Sequence, residues 1–540
     1  MNSMMMDYPL TLTHILERAG RYNQSVEIVS RMPDRTIHRY TYGDFYERAR
    51  SLAQSLQQAG LQPGDRVGTL MWNHYVHLEA YFGIPAAGGV LHTLNLRLHP
   101  DDLAYIIQHA GDRFLIVDDI LLPLLNKVKE RIDVERIFVV PLSGQPVPED
   151  LENYEDLVAQ PAPDFRYPMI AEDAPAGICY TSGTTGKPKG VVYSHRSLVL
   201  HSFASALTDC LGVSRFDTVL PVVPMFHANA WGLPFTCVMT GAKQVFPGPH
   251  LDPVSLLKLF EQERVTFTAG VPTIWFGILK QLDKGERRWN LLPNMRMVVG
   301  GAAAPESMIR AFDRYQLRVV HAWGMTETTP LGTVSMLKPN LNELSEDEQY
   351  AYRAKQGLPV PFVDVRIVNE DGPAPHDGKT MGELQVRGPW IAAGYYRLPE
   401  VSDAFTADGW LRTGDIATID PEGYVRITDR TKDLIKSGGE WISSVELENA
   451  IMGHPDVAEA AVVGVPHPKW QERPLAAVVR KEGASLTAEE LLSFLAPRFE
   501  KWWLPDEVVF VEEIPRTSSG KFLKRQLREQ YRDCFKEVKQ

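Results

Sequence analysis

Apolar side chains recur at helical spacing through residues 44–59, where Phe45, Ala49, Leu52, Leu56 and Ala59 fall on one stripe that Gly60 ends. Pro63-Gly64-Asp65 then turns the chain, and Val67, Thr69 and Met71 alternate as a strand should. A second helical stretch covers 77–87 and runs into the apolar Gly89-Val90-Leu91. A helix over 101–109 leads to a buried strand, Phe114-Leu115-Ile116-Val117. This strand–helix rhythm predicts parallel sheets covered by helices, an α/β fold.

Residues 143–167 carry several prolines and acidic residues and read as a surface connection. Beyond them, Gly177 to Tyr180 and Val191-Val192-Tyr193 are strands on either side of a polar, glycine-rich stretch, and Ser194 caps a helix running from about Arg196 toward Leu211. Val265 to Val271 and Met295 to Val299 read as strands, and 341–355 as a charged helical excursion. From 360 to 430 the texture changes to short strands with turns (363–368, 382–387, 424–428), which predicts a small barrel-like β subdomain. The remainder has its own apolar set: a helix over 444–452, strands at 459–465 and 475–479, a helix over 488–495 and a strand at 508–511. The expected organisation is a large domain at 1–430, a connection at 431–433 and a small α+β domain at 434–540.

Composition narrows the class. A chain of 540 residues exceeds what one core serves, which agrees with two or more domains. The formal net charge of −12 leaves no overall basic field to attract nucleic acid, so any basic site must be local. Cys179, Cys210, Cys237 and Cys534 are scattered without CxxC spacing, which predicts reduced thiols rather than a disulfide framework or zinc site. The first residues lack the basic flank and apolar run of a signal peptide, and no stretch approaches the roughly 20 apolar residues of a membrane span. A soluble, cytoplasmic protein is expected.

The densest chemistry lies at 180–190, Tyr-Thr-Ser-Gly-Thr-Thr-Gly-Lys-Pro-Lys-Gly. Gly183, Gly186 and Gly190 allow close backbone approach; Ser182, Thr184 and Thr185 supply neutral donors; Lys187 and Lys189 supply charge. This suits a polyphosphate. It is not a Walker A loop, because two residues separate the glycines and proline stands where Ser or Thr is needed. His227 sits between aromatics in an apolar, proline-punctuated run at 220–234, surroundings in which a histidine is more often packed than catalytic. Gly300-Gly301-Ala302-Ala303-Ala304 follows a strand directly, leaving room for a ring or alkyl chain or else serving close helix packing. His321-Ala-Trp-Gly-Met-Thr-Glu327 offers an aromatic plate (Trp323), a hydroxyl (Thr326) and a carboxylate that near a triphosphate calls for Mg2+.

These motifs, with Thr413-Gly-Asp415, Asp429-Arg-Thr-Lys-Asp433 and Gly520-Lys521 in the same order, resemble the adenylate-forming superfamily across essentially the whole chain. Val222-Val-Pro-Met-Phe-His227, Ile435-Lys-Ser-Gly-Gly-Glu-Trp-Ile-Ser-Ser444 and His467-Pro-Lys-Trp-Gln-Glu-Arg-Pro474 look like its medium- and long-chain fatty-acid-CoA ligases. The likeness implies ATP-dependent conversion of a carboxylic acid to acyl-AMP and then acyl-CoA, with ATP, Mg2+ and coenzyme A required. It implies that Thr184 and Glu327 position magnesium and phosphate, and that Thr181, Ser182, Gly183, Thr185, Gly186 and Lys187 bind the triphosphate. Gly301, His321, Ala322, Trp323, Thr326, Asp415 and Arg430 would hold the nucleotide, with Trp323 stacked on adenine and Asp415 on the ribose. Lys521 would act in adenylation and Lys432 as the hinge. Lys436, Gly438, Gly439 and Trp441 would then serve the thiol step. His227, Trp231, Gly300 and Ala302 would line the acyl pocket, with Trp231 resembling a gate. No carboxylate follows Phe226-His227, so an apolar acid of medium to long chain is expected. A thioether acid such as 3-methylthiopropionate, or loading of a carrier protein, is the alternative. Similar ligases are often homodimers, and peripheral membrane contact is compatible with lipid substrates.

Overall fold

The computed structural model describes residues 4–181, 187–398, 402–438, 440–516 and 522–535. Its first sheet has seven strands, in the order Glu152–Asn153, Arg136–Val140, Asp112–Asp118, Arg66–Leu70, Val90–Thr93, Pro175–Tyr180 and Gly190–Ser194. All neighbours are parallel except the last pair, an antiparallel hairpin closing with Tyr180 opposite Gly190. The helix Tyr42–Gln58 covers one face and begins with a capping box in which Thr41 and Asp44 satisfy each other's backbone amides. Val67, Thr69 and Met71 share one buried face, as expected, and Leu70 on the opposite face is buried too, because a central parallel strand is covered on both faces. Residues 143–167 are also more than a surface connection. They contribute the edge strand and the helix Tyr154–Val158, and the buried Tyr154 hydroxyl donates 2.8 Å to Glu79.

The second sheet has nine strands, with a parallel centre running Arg318–Gly324, Arg296–Val299, Phe267–Gly270, Thr218–Pro221, Lys243–Phe246 and Glu27–Arg31. The carboxyl ends of its central strands deliver Val222, Val271, Gly300 and Gly324 to one place, where ligands of parallel α/β sheets bind. The subdomain expected to be barrel-like is an open five-stranded antiparallel sheet built on Asp364–Asn369, Gly382–Arg387, Leu411–Ile419 and Val425–Arg430 with a two-residue edge. After Arg430 the next strand, Ile435–Ser437, joins a different sheet with Val457–His467, Gln471–Arg480 and Glu507–Phe510, packed on helices Ser444–Ile451 and Ala488–Leu495. Among the described residues no helix is long and apolar enough to cross a membrane.

The helix His195–Ala206 starts as expected, with Ser194 accepting from the Ser197 amide at 3.0 Å. It stops short of Leu211 because Leu207 is extended, and Thr208-Asp209 favour a loop. On it, the buried His201 joins three segments: Nε2 accepts from Leu331 N at 3.3 Å, the ring meets Trp390 edge-on, and Gly232 crosses directly over it. A side chain at 232 would come within 2.5 Å of the imidazole. Burial pushes the His201 pKa down to about 3 and that of His321 down to about 4. Both are therefore neutral in the fold, whereas the unfolded chain titrates near 6.5. The unfolded state then binds more protons below that value, so stability falls as pH drops from 6.5 toward 4. Urea midpoints at pH 7.5, 6.0 and 5.0 should decline accordingly, and in His201→Gln the acid slope should shrink by up to about 1.4 kcal/mol per pH unit.

Candidate active site

A cavity of about 890 Å³ opens where the two large sheets, the five-stranded sheet and the C-terminal part meet. At one end stands Trp323, on the strand Arg318–Gly324. Its Nε1–H donates 2.9 Å to Oδ2 of Asp415, whose Oδ1 pairs with Arg430 Nε at 3.0 Å. Asp415 is buried and its own amide donates to Thr413 Oγ at 3.1 Å. The carboxylate is thus fixed from two sides. Gly332, on the adjacent strand, lies against the indole: an added Cβ would sit 2.5 Å from Trp323 Cζ3. His321 precedes this group, neutral and donating from Nδ1 to Ala354 O at 3.0 Å.

Glu327 occupies a tight turn, Thr326–Thr328, held by Tyr193 donating to Thr326 O at 2.7 Å and by the Ala392 amide donating to Glu327 O at 2.7 Å. Tyr395 donates its hydroxyl to Glu327 Oε1 at 2.7 Å, and Lys189 Nζ lies 4.9 Å from the centre of the Tyr395 ring. Burial, then Glu327, raises the Tyr395 pKa far above the usual phenol value, so it remains a donor. The two strands flanking the glycine-rich stretch are clamped together by Thr181 N to Lys189 O (2.9 Å) and Lys189 N to Thr181 Oγ (3.2 Å). Thr181, Lys187 and Lys189 line the cavity. Ser182, Gly183, Thr184, Thr185 and Gly186 lie outside the described residues.

The other end is apolar, walled by Val222, Phe226, Trp231, Ile274, Val298 and Gly300. Trp231 packs on Gly300, where a Cβ would sit 3.1 Å from the indole. The segment carrying it is unusual: Ala228, Asn229, Ala230 and Trp231 all have left-handed φ, between 42° and 58°, and Gly232 follows at 73°. Such residues cost roughly 1–2 kcal/mol each in L-amino acids. Packing and side-chain bonds must offset that. Ala302, expected in this pocket, instead lines a smaller crevice of about 250 Å³, because the left-handed Gly301 (φ 77°) turns the chain away after Gly300.

That crevice runs beside Trp323, between the large sheets and the C-terminal part. Lys432 lines it with Asp415 and Arg430, and burial lowers the Lys432 pKa. Arg516 faces both spaces, donating to Thr273 Oγ at 3.2 Å and to Glu459 at 2.7 Å. Lys521 and Gly439 lie outside the described residues. Lys436, Gly438 and Trp441 are not brought to the cavity. Lys436 Nζ rests 5.2 Å over the exposed Trp441 ring, and Gly438 tucks under Trp470 with its amide on Trp470 O at 2.8 Å.

The family described as AMP-binding enzyme matches residues 16–396, and its C-terminal domain matches 446–521. The chain belongs to the AMP-binding enzymes. This AMP-binding enzyme is 53% identical over 536 residues to a long-chain-fatty-acid–CoA ligase of Thermus thermophilus, covering 99% of this chain and 98% of that one. It is 47% identical to a 3-methylmercaptopropionyl-CoA ligase of Ruegeria lacuscaerulensis, with 98% and 99% covered. Its fold matches ATP-bound MatB from Rhodopseudomonas palustris with a TM-score of 0.81 at 27% identity, over 98% of this chain and 100% of that one.

Sequence reading missed Tyr395 and Arg516 at the cavity of this AMP-binding enzyme. Arg516 stands four residues before Gly520-Lys521, close enough to have been found with it; Tyr395 had no signal beyond lying next to another tyrosine. Because Gly332 packs directly on Trp323, Gly332→Ala should displace the ring. AMP affinity by titration calorimetry is expected to fall about tenfold, a change of about 1.4 kcal/mol.

Proposed function

We propose that this AMP-binding enzyme is an acid–thiol ligase that activates a medium- to long-chain fatty acid as acyl-AMP and transfers it to coenzyme A. The observation that carries this reading is a single cavity lined by Trp323 and Arg430, both bonded to Asp415 of the adjoining crevice, and by Glu327, together with the apolar wall under Trp231. In the first step a carboxylate oxygen bonds to the α-phosphorus of ATP as the bond to pyrophosphate breaks. Two anions must be brought in line, so the work of the protein is charge neutralisation and orientation. Asp415 would accept from the ribose hydroxyls through the lone pairs that Trp323 and Arg430 leave. Lys187, Lys189 and the hairpin tip would hold the phosphates, and Lys521 would bridge the carboxylate and α-phosphate.

Among the described residues no group of three or more His, Cys, Asp or Glu gathers as a metal cage. That suits Mg2+, which takes few protein carboxylates and relies on substrate phosphate oxygens. Glu327 and Thr184 would hold it, and the ion would offset triphosphate charge.

In the second step the thiol sulfur bonds to the acyl carbon and AMP leaves. Arg516 at the cavity and the distant Lys436, Gly438 and Trp441 fit an arrangement suited to adenylation, with a turn about Lys432 bringing the second set inward. Such exchange lets one pocket serve two transition states. Buried Cys179, Cys210 and Cys237 fit a reducing cytoplasm. A thioether acid is the second reading, favoured by the 47% identity to the 3-methylmercaptopropionyl-CoA ligase.

Coenzyme A-dependent AMP release across acids from acetate to palmitate, with 3-methylthiopropionate included, decides among these. A best kcat/KM at medium or long chains is expected; a maximum at the thioether acid would favour the second reading, and acyl-AMP accumulation without thioester would refute the ligase. Lys521→Ala should lower adenylation by about 10²-fold or more while leaving thioester formation from supplied acyl-AMP within about threefold. Equal loss of both steps would contradict the division of labour.

A further inference from the structure

We propose that Asn229 is the positioning residue of the apolar end of the cavity, pinned by Cys179 and Thr93; this rests on reading that end as the acyl pocket. Residues 228–231 stay left-handed although none is glycine. Ala and Trp have no intrinsic reason to do so, and asparagine is the residue among them that tolerates the conformation best. The backbone bonds of the turn, Ala230 N to His227 O (3.1 Å) and Gly232 N to Asn229 O (2.9 Å), are local and fasten it to nothing else.

The fastening is made by a side chain. Asn229 is 2% exposed, and its Oδ1 accepts from Cys179 Sγ at 3.1 Å and Thr93 Oγ at 3.5 Å, while Thr93 and Cys179 are 3.4 Å apart. Cys179 and Thr93 stand on adjacent strands of the seven-stranded sheet, Pro175–Tyr180 and Val90–Thr93, so the turn is tied to a rigid element rather than a loop. Burial pushes the Cys179 thiol up to about 11, which keeps it protonated and donating. Asn229 Nδ2 is buried without a hydrogen-bond partner among the described residues. A side chain kept there at that cost is kept for what its oxygen does. His227 and Trp231 lie two residues to either side, and Trp231 is laid on Gly300. Releasing the amide therefore loosens the apolar wall, whereas Trp323, Asp415 and Arg430 stand on other strands and keep their geometry.

Asn229→Gly keeps a permitted backbone and removes the amide; Cys179→Ala removes the donor, and Cys179→Ser restores one. Loss of one buried hydrogen bond should raise KM for the best acid about tenfold in Asn229→Gly and Cys179→Ala, with KM for ATP and kcat changed by less than about threefold. Cys179→Ser should stay close to the native protein. Unchanged acid KM and chain-length preference in Asn229→Gly, or equal effects of Ser and Ala at 179, would overturn the proposal. Cys179→Ala carries the test if Asn229→Gly does not fold. Deuterium uptake across 222–235 should rise in both deficient variants whatever the acid. Raised uptake in a protein that activates no acid would count against the ligase reading alone; unchanged uptake would count against the anchor.

Discussion

The bond from the Trp323 indole to the buried Asp415 carboxylate joins a strand of the nine-stranded sheet to a strand of the five-stranded one. Hydrogen bonds to charged groups contribute about 1.5–3 kcal/mol, and a buried carboxylate that loses its partners costs at least as much. The two sheets are therefore held in one relation beside the cavity that Trp323 and Arg430 line. Arg430, at the end of the next strand, completes the neutralisation and is also the last residue before the chain leaves for the C-terminal sheet. The Trp323–Asp415 pair and the start of the connection between lobes share one electrostatic knot.

The two ends of the cavity are stabilised by different means. At the polar end, donors converge on carboxylates: Tyr395 on Glu327, Trp323 and Arg430 on Asp415. At the apolar end, shape is stored in backbone, as a left-handed turn over Gly300 that only its surroundings maintain. Gly332 admits the Trp323 ring where a methyl group would collide, and Gly300 leaves room for Trp231 where a Cβ would sit 3.1 Å from the indole. A molecule with a charged head and an apolar tail fits such a division.

The elements were largely legible because they are set by local periodicity and capping. Ser194 and its helix, the hairpin around the glycine-rich stretch, and the strands of the C-terminal sheet all follow from nearby residues. The departures have different causes. Leu70, which faces the other way from Val67 and Thr69, is buried as fully as they are, because burial on both faces depends on helices far along the chain. Ala302 left the expected pocket because one positive φ at Gly301 redirects the chain, and glycine takes either sign of φ with equal ease.

The sequence by itself determined the class of chemistry, since glycines, hydroxyls and lysines at 180–190 and the ordered motifs after them can be read without coordinates. It determined the alternation of strands and helices, and with it the parallel sheets. Only the tertiary structure decided which side chains meet. Asp415 and Trp323 are 92 residues apart, Cys179 and Asn229 are 50 apart, and Arg516 reaches Thr273 across 243. Hydrogen bonding acts over about 3 Å of space and is blind to chain separation, so no local pattern announces such pairs.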